Sequence, residues 1–518
     1  MTITTATRTQ KRERNLLDSA TLSSGSEQVI DFLLPVFAGT VLGLVPWQIG
    51  LLVGLSELTA FVSRPIAGRI ADRHSRPIMA AAGAAGFGIA CVLYAFSTGL
   101  AVALTAAALS GVAGAFLWVG LRAMVAESLH EDSSVFAKLL GAEETGSWLI
   151  FVPALFIAIY TNYLYAFLAL ALCCFVAAAL LFSVPRNAAM SPTHPETATQ
   201  TTPPRSGTDR PLLIAVVVTM AAESALGLLL LLHLQHHFDL GLVEIALVFL
   251  PGAIAMSLLP SYLHRVVAAI GRRKALVLAS ALSTCFAIGL AFATTPLLIG
   301  IIWVLSAIAW SILVPVQQAA VADAAGNHAT GRALSRYEAA TLAGGFVGSV
   351  AAGLMYQSGS WLLSCLAVAL LLASGIFLLP WAIRALGISD AVAPARTPSR
   401  PEQLEAPTGQ VAERDATRKS RTQLVKEFLQ HSLVFWLAVI AAKLFFPQLE
   451  YTGLLGIGQH PLGIWRDLQA AFNNGFDLAL FASAAIRLWA ILYLIDLVWT
   501  GYKILTGDDA SARAQSDS

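Results

Sequence analysis

Between two apolar runs, at about 47–66 and 78–96, the sequence reads Gly68-Arg69-Ile70-Ala71-Asp72-Arg73-His74-Ser75-Arg76. Each run has the roughly 20 residues that a helix needs to cross a bilayer. The connecting stretch places a carboxylate among arginines at two helix ends, where charges and helix dipoles attract each other. This order predicts a latch that favours one packing of two membrane helices. The alternative is that the arginines only set topology.

The composition excludes a soluble globular chain. Of 518 residues, 57% are hydrophobic and 12% are charged, and the mean hydropathy is +0.71, which is typical of a protein that uses the bilayer as its solvent. Basic and acidic residues nearly balance, so the net charge indicates no nucleic-acid partner. The chain has no G-x-x-x-x-G-K-[ST] phosphate loop, so we expect energy from an ion gradient, no cofactor and no enzymatic activity.

Apolar runs long enough to span a bilayer recur in two sets of six. A polar stretch rich in Pro, Thr and Ser separates the two sets and is typical of a solvated linker. The pattern predicts an all-α membrane protein with twelve spanning helices in two halves. The first set lies at about 16–40, 47–66, 78–96, 99–124, 138–160 and 163–184, and the second at about 211–234, 241–263, 274–294, 296–318, 332–356 and 359–385.

The changes in composition predict seven segments along the chain. The start lacks the apolar core and cleavage site of a secretory signal, so the first membrane helix is expected to act as the targeting signal. The segments are an N-terminal tail (1–15), a first six-helix half (16–184), a linker (185–210), a second six-helix half (211–385), a disordered linker (386–428), an extra pair of membrane segments (429–505) and a final tail (506–518).

Basic residues concentrate in alternate loops, and the loops between them contain no lysine or arginine. By the positive-inside rule, the basic loops lie in the cytoplasm. The pattern therefore predicts a multi-pass protein of the cell inner membrane with both termini in the cytoplasm. The residues that carry this pattern are Arg69, Arg73, Arg76, Lys138, Arg186, Arg205, Arg210, Arg265, Arg272, Arg273, Lys274, Arg332 and Arg336.

The two halves match each other when the second is shifted by 196 positions. Acidic and basic positions then coincide in the same loops and helices, which indicates an internal duplication. The coinciding charged pairs are Arg76 with Arg272, Glu127 with Asp323, and Glu27 with Glu223.

The stretch from Gly68 to Arg76 resembles the G-x-L-A-D-R-x-G-R-K signature of the major facilitator superfamily. Gly68, Asp72, Arg73 and Arg76 match the signature, while Ser75 and Pro77 replace a glycine and a basic residue. The second half keeps Gly271-Arg272 but has Ala268 in place of the aspartate. The resemblance covers about residues 16–385. It implies twelve helices in two pseudo-symmetric halves, a central cavity between the halves, and a gating role for Gly68, Asp72, Arg73, Arg76, Gly271 and Arg272.

Four carboxylates lie inside predicted membrane helices, where a charge is expensive to keep and a functional role is the default expectation. They are Glu27, Asp31, Glu57 and Glu223. We predict that they couple transport to protons or hold a cationic group of the substrate. The alternative is that each one hydrogen-bonds a neighbouring helix.

Three further acids, Glu143, Glu144 and Glu338, lie about two turns from the predicted cytoplasmic ends of their helices. They are candidate gate or helix-end partners. The run that contains Glu338 also has the small residues that allow close contact between helices. These are Gly344, Gly345, Gly348 and Gly353.

Histidines and cysteines give weaker signals. His233, His236 and His237 form a cluster that is a candidate metal site, but interfacial histidines are the simpler interpretation because their spacing matches no specific metal motif. The five cysteines lie in apolar runs without paired spacing and are predicted to be small buried residues. They are Cys91, Cys173, Cys174, Cys285 and Cys365.

Beyond residue 385 the chain adds a charged, Pro- and Ala-rich linker and then two apolar segments, 431–447 and 476–505. Their length favours about two extra membrane helices. Because Lys443, Arg487 and Asp496 interrupt them, a pair of helices lying on the membrane surface is the alternative. The extension is expected to bind a protein partner or a second copy.

These features together predict a secondary active transporter. It moves a small organic solute by alternating access, coupled to protons, with export favoured over import. The alternatives are a uniporter or carrier of a metal or metal chelate and, in a different class, a membrane scaffold or sensor that does not transport.

Overall fold

The computed structural model describes residues 2–127, 135–184, 210–325 and 330–390, with scattered positions between 432 and 500. The chain divides into two compact units, Met1–Ala395 and Arg396–Ser518. Within the described ranges the first unit consists of helices and short connections, without a β-strand. This confirms the all-α class.

Six helices form the first half of the first unit. The first of them begins well before the apolar run predicted at 16–40, so residues from Thr2 onward continue the same helix. The six are α1 (Thr2–Thr40), α2 (Pro46–Arg73), α3 (Arg76–Ala95), α4 (Leu100–Glu127), α5 (Val135–Tyr160) and α6 (Tyr163–Phe182).

Seven helices form the second half. They are α7 (Arg210–His236), α8 (Leu242–Leu258), α9 (Pro260–Ile270), α10 (Arg272–Phe292), α11 (Pro296–Ala325), α12 (Thr330–Gln357) and α13 (Trp361–Ala385). The run predicted as one helix at 241–263 is divided at Leu259. Pro260 explains the division, because proline has no amide hydrogen and its ring clashes with the preceding turn.

Ten of the described helices are long and apolar enough to cross a membrane, namely α2 to α7 and α10 to α13. α8 is apolar but shorter, and α1 has Glu27 and Asp31 within its apolar segment. Large apolar side chains such as Leu370 and Phe377 are 75% and 76% exposed, as expected for a surface in contact with lipid. The count of twelve spanning helices stays a prediction.

The loop between α2 and α3 contains no left-handed residue. His74 and Ser75 both have extended backbones, and Pro77 lies in the first turn of α3, where its missing amide hydrogen costs nothing. Ser75 therefore replaces a glycine without strain. The matching position of the second half, Gly271, has φ +85°, which a glycine adopts readily.

The hydrophobic core has three parts. We call the end of the bundle where α2 ends and α3 begins the motif side. On the opposite side, one cluster contains residues of both halves, such as Leu33 and Leu229. On the motif side, Leu121 belongs to a cluster of the first half alone, and Leu313 belongs to a cluster of the second half alone. Among the residues that the structure describes, the halves thus share a core on only one side.

Glycines allow α12 to approach its neighbours closely, as predicted from the sequence. A Cβ atom on Gly353 would lie 2.6 Å from the carbonyl oxygen of Pro46 in α2, and one on Gly344 would lie 2.7 Å from that of Val217 in α7. Gly348 similarly contacts the backbone of Ala221. α12 therefore packs against both halves.

The cysteines are partly as predicted. Cys91, Cys174 and Cys365 are buried and Cys173 is half-buried, but Cys285 is exposed. Its side chain points out of the bundle from α10, so the prediction of burial was wrong for this residue.

The described positions of the second unit form a small apolar cluster of their own. Phe435, Val439, Ile486 and Ala490 are buried in it, and the rings of Phe435 and Tyr493 stack at 4.7 Å. The two apolar segments of the extension therefore pack on each other. Whether they span the membrane stays a prediction.

Candidate functional site

Two of the predicted carboxylates lie one turn apart on α1. The indole Nε1 of Trp118 in α4 donates a 2.6 Å hydrogen bond to Oε2 of Glu27. Asp31 is exposed, and its carboxyl group interacts electrostatically with Glu27 and Glu57. Because α2 carries Glu57, this interaction joins the acidic residues of α1 to α2.

Glu57 lies at the contact between the halves. A Cβ atom on Gly345 of α12 would be 3.0 Å from the carboxyl carbon of Glu57. Glu57 also interacts electrostatically with Glu27 and with Arg64, which lies about two turns nearer the motif side on the same helix. The structure thus brings Glu27, Asp31 and Glu57 into one acidic group.

An ionic link joins the two halves next to this group. Glu338 of α12 forms ion pairs with Arg64 of α2 and Arg122 of α4. The side chains of Arg64, Glu338 and Arg122 are 15%, 25% and 37% exposed, so the link is partly shielded from solvent. It lies toward the motif side, where the halves share no apolar core.

Trp118 connects the ionic link to the acidic group. The guanidinium carbon of Arg122 lies 5.7 Å from the centre of the Trp118 ring, a cation–π distance. Residues 118 and 122 are one helical turn apart, so both lie on one face of α4. A continuous path of contacts therefore runs from Glu27 through Trp118 and Arg122 to Glu338.

The sequence analysis did not identify Arg64, Arg122 or Trp118. A signal existed, because Arg64 and Arg122 are basic residues inside apolar runs, where charged groups are functional candidates.

Glu223 lies in different surroundings on α7. Its Oε1 accepts a 2.5 Å hydrogen bond from the hydroxyl of Ser283 in α10. It also lines a cavity of about 220 Å³ together with side chains of α8 and α11. The other lining residues are Met256, Trp303, Ser306, Ala307 and Trp310.

The signature residues of the first half have the following positions. Arg76 donates hydrogen bonds to the carbonyl oxygens of Ala71 and Ala123, at 3.3 and 3.4 Å, and so joins the end of α2 to the end of α4. Arg73 is exposed, and Gly68 has open space around it. The side chain of Asp72 lies outside the described residues.

The matching loop of the second half has two carboxylate partners. Arg272 is buried and its Nη2 lies 2.5 Å from Oδ2 of Asp323 on α11. Asp390, which follows α13, accepts two hydrogen bonds from this loop: its backbone carbonyl oxygen from the amide of Arg272 at 3.0 Å, and its carboxylate Oδ1 from the amide of Arg273 at 2.8 Å. Asp390 thus supplies a carboxylate at the start of α10, in the loop where Ala268 replaces the aspartate of the signature.

The charge of Asp390 is stabilised in place. Partial burial raises the pKa of its carboxyl group, but the hydrogen bonds from Arg273 and the charges of Arg273 and Lys274 outweigh this effect. The pKa of Asp390 therefore lies below its ordinary value. The sequence analysis did not predict the contact between Asp390 and the start of α10.

The other two gate candidates, on α5, show less. The backbone carbonyl of Glu143 accepts hydrogen bonds from Ser24 of α1 at 3.1 Å and from Ser147 at 3.0 Å. The side chain of Glu144 lies outside the described residues. Of the candidate gate acids, Glu338 is placed between the halves by its ion pairs with Arg64 and Arg122.

The histidine cluster is arranged by ring stacking. The ring of His233 stacks on Trp361 at 3.7 Å and on His237 at 4.5 Å, while His236 is exposed at the end of α7. Among the described residues no group of three or more His, Cys, Asp or Glu side chains has the geometry of a metal site. Ring contacts therefore arrange His233 and His237 beside Trp361.

Sequence comparison identifies a family. The Major Facilitator Superfamily profile matches residues 19–268 and 212–502. The second match runs past residue 385, where the resemblance was expected to end. No curated protein matches the chain by sequence.

Solved structures give the same fold at low identity. The chain is similar to the peptide transporter POT in complex with sulfate, with a TM-score of 0.57 and 12% identity over 74% of this chain and 96% of that one. It is also similar to the nucleoside transporter NupG, with a TM-score of 0.56 and 14% identity over 73% of this chain and 99% of that one. Each alignment covers nearly all of the solved transporter and about three quarters of this chain. The chain therefore belongs to the major facilitator superfamily of secondary transporters.

Proposed function

We propose that this protein moves a small organic solute across the inner membrane by alternating access, that protons drive the movement, and that the direction is export. Membership of a family of secondary transporters supports the general class. The solute, the proton coupling and the direction are the parts that the site geometry supports and that experiment must test.

The observation that carries the proposal is the unequal joining of the two halves. They share an apolar core on the opposite side but have separate cores on the motif side. There Glu338 links them through Arg64 and Arg122. An ionic link of this kind can break and form again as the halves rock, whereas a shared apolar core favours one state.

The acidic group provides a means of proton coupling. Glu27 contacts Trp118, which contacts Arg122 of the inter-half link. Adding a proton to Glu27, Asp31 or Glu57 removes a negative charge beside this path and so changes how strongly Arg64 and Arg122 are held. Protonation in the acidic group therefore biases the equilibrium between the two states.

The proposed direction of export rests on the orientation that the basic loops predict. If those loops are cytoplasmic, the side on which the halves share no core faces the cytoplasm. A solute to be exported enters from that side.

The test uses the purified full chain in liposomes that contain a trapped pH dye. A panel of solutes is added in turn, and proton movement and labelled solute are both recorded. We expect at least one solute to move protons with the wild type, and Asp31→Asn to abolish the proton signal. Glu27→Gln and Glu57→Gln should reduce it.

The matched control is Asp239→Asn, which removes an exposed carboxylate after α7. Asp239 has φ +51°, and asparagine tolerates this left-handed conformation, so the control should fold and transport normally. Solute that crosses without proton movement would refute proton coupling. If no solute crosses with any variant or with the wild type, transport itself is refuted.

A further inference from the structure

We propose that the Glu223 cavity is a binding site for an organic cation with an apolar body, such as a quaternary or protonated amine. This inference rests on the proposed function and names the chemical class of its solute. The carboxylate would meet the positive charge, and the indole rings of Trp303 and Trp310 would meet the rest of the molecule.

The four residues that α11 contributes to the cavity form one stripe on that helix. Trp303, Ser306, Ala307 and Trp310 follow the i, i+3, i+4, i+7 spacing of a single helical face. Ser306 and Ala307 lie between the two tryptophans along this stripe, so this wall of the cavity has small side chains in its middle and an indole ring at each end. Met256 of α8 adds a polarisable side chain that adapts to different ligand shapes.

Trp303 is held in position by its neighbours. Its ring makes edge contacts with Phe249 of α8 at 5.1 Å and with Phe286 of α10 at 5.4 Å. Gly252 of α8 leaves the space for the indole Nε1, because a Cβ atom at this position would clash with it. The indole is thus fixed before any ligand arrives, which reduces the entropy cost of binding.

The carboxyl group of Glu223 has no cationic partner in the described part of the chain, where Ser283 is its single hydrogen-bond partner. The internal repeat explains why. Glu27 is the counterpart of Glu223 at an offset of 196 positions, and it interacts with Trp118, Arg64 and Arg122. The same offset leads from these three residues to Val314, Pro260 and Gln318. The second half therefore keeps the acid but lacks the basic partners.

A carboxylate without a basic partner, next to indole rings, has the chemistry of a site for a cation. Cations bind to the faces of aromatic rings, most strongly to that of tryptophan, and quaternary ammonium groups use this interaction in proteins. An anionic solute would be repelled by an ionised Glu223, whereas a cation would pair with the ionised carboxylate and hold it in that form, which a neutral solute cannot do. The cavity therefore favours a cation over both.

The experiment measures equilibrium binding of labelled benzyltrimethylammonium to the full chain in lipid nanodiscs. Neopentylbenzene, its uncharged carbon isostere, competes as a probe of the same shape. We expect the cation to bind at least tenfold more tightly than the isostere. Glu223→Gln should raise the Kd of the cation about tenfold or more and abolish this preference, while Glu223→Asp keeps it.

Two further changes test the aromatic wall. Trp310→Leu and Gly252→Ala, which displaces Trp303, should each weaken cation binding roughly three- to tenfold. Glu244→Gln removes a carboxylate from the first turn of α8 outside the cavity and should leave the Kd unchanged. Equal binding of cation and isostere, or an unchanged Kd in Glu223→Gln, would overturn the proposal.

The binding test separates this inference from the proposed function, because it needs neither a gradient nor transport. Cation binding that depends on Glu223 in a protein that moves no solute would refute the transport proposal and leave the site. Proton-coupled transport of an uncharged solute by a protein that does not bind the cation would refute the site and leave the transport proposal.

Discussion

Arg122 on α4 of the first half forms an ion pair with Glu338 on α12 of the second half. The two residues are 216 positions apart in the chain. Their contact crosses the interface on the side where no apolar core joins the halves. It is therefore the part of the interface whose strength depends most directly on charge.

Breaking this pair should show coupling between its members. We expect Arg122→Gln and Glu338→Gln to destabilise the protein singly, and the double variant to cost less than the sum by about 1 kcal/mol. The measurement is the free energy of unfolding from denaturation in mixed micelles. Asp18→Asn breaks the exposed pair of Arg14 and Asp18 and should have no measurable effect. Strict additivity of the two glutamine variants would contradict the link.

Trp118 should matter through its indole nitrogen as well as its volume. Trp118→Phe keeps an aromatic ring but leaves Oε2 of Glu27 without its donor, so we expect a loss of about 1 to 3 kcal/mol of stability. The proton signal in liposomes should shift along the pH axis as well, because Glu27 loses a group that favours its charged form. Trp47→Phe, at an exposed tryptophan at the start of α2, is the matched control. An unchanged pH profile would show that Trp118 has only a packing role.

The close contact of α2 and α12 should hold the opposite side shut. A Cβ atom on Gly50 would lie 2.5 Å from the carbonyl oxygen of Ser349, so Gly50→Ala should force these helices apart. We expect faster labelling of an introduced Phe249→Cys by an impermeant maleimide added from the opposite side. Gly227→Ala, where no atom lies within 4 Å of the added Cβ, should leave the labelling rate as it was.

The contact of Asp390 with α10 gives stability a defined pH dependence. Because folding lowers the pKa of Asp390, its contribution is present above the ordinary pKa of about 3.9 and is lost as the pH falls through the lower folded value. The melting temperature of the wild type should thus exceed that of Asp390→Asn at pH 7. The difference should shrink as the pH falls below about 4. A difference that stays constant with pH would mean that the carboxylate charge contributes nothing.

The fold followed from the sequence because its determinants are local. Apolar length, the placement of basic residues and the Gly68–Arg76 stretch each lie within a few dozen residues, and together they gave the helices and the family. Pro260 marks the division at Leu259, although the apolar run continues through it without a charged residue that would indicate a boundary. The helical start of α1 was not predicted, because only apolar length was used to find helices. A polar segment such as the one before residue 16 can continue a helix without spanning the membrane.

The site was harder to predict because its contacts join distant parts of the chain. The sequence indicated Glu27, Asp31, Glu57 and Glu223 through the cost of burying charge. It did not indicate which basic residue meets which acid. Nothing local relates Arg64 to Glu338, and nothing local places Asp390 at the start of α10.

The three-part core also implies an order of assembly during synthesis. Every residue of the first-half cluster on the motif side precedes residue 184, so this cluster can form while the ribosome is still making the linker. The shared cluster needs residues as late as Leu372 and can form only after nearly the whole body has been translated. Two co-expressed fragments divided within residues 185–209 should therefore insert separately and reassemble through the shared cluster.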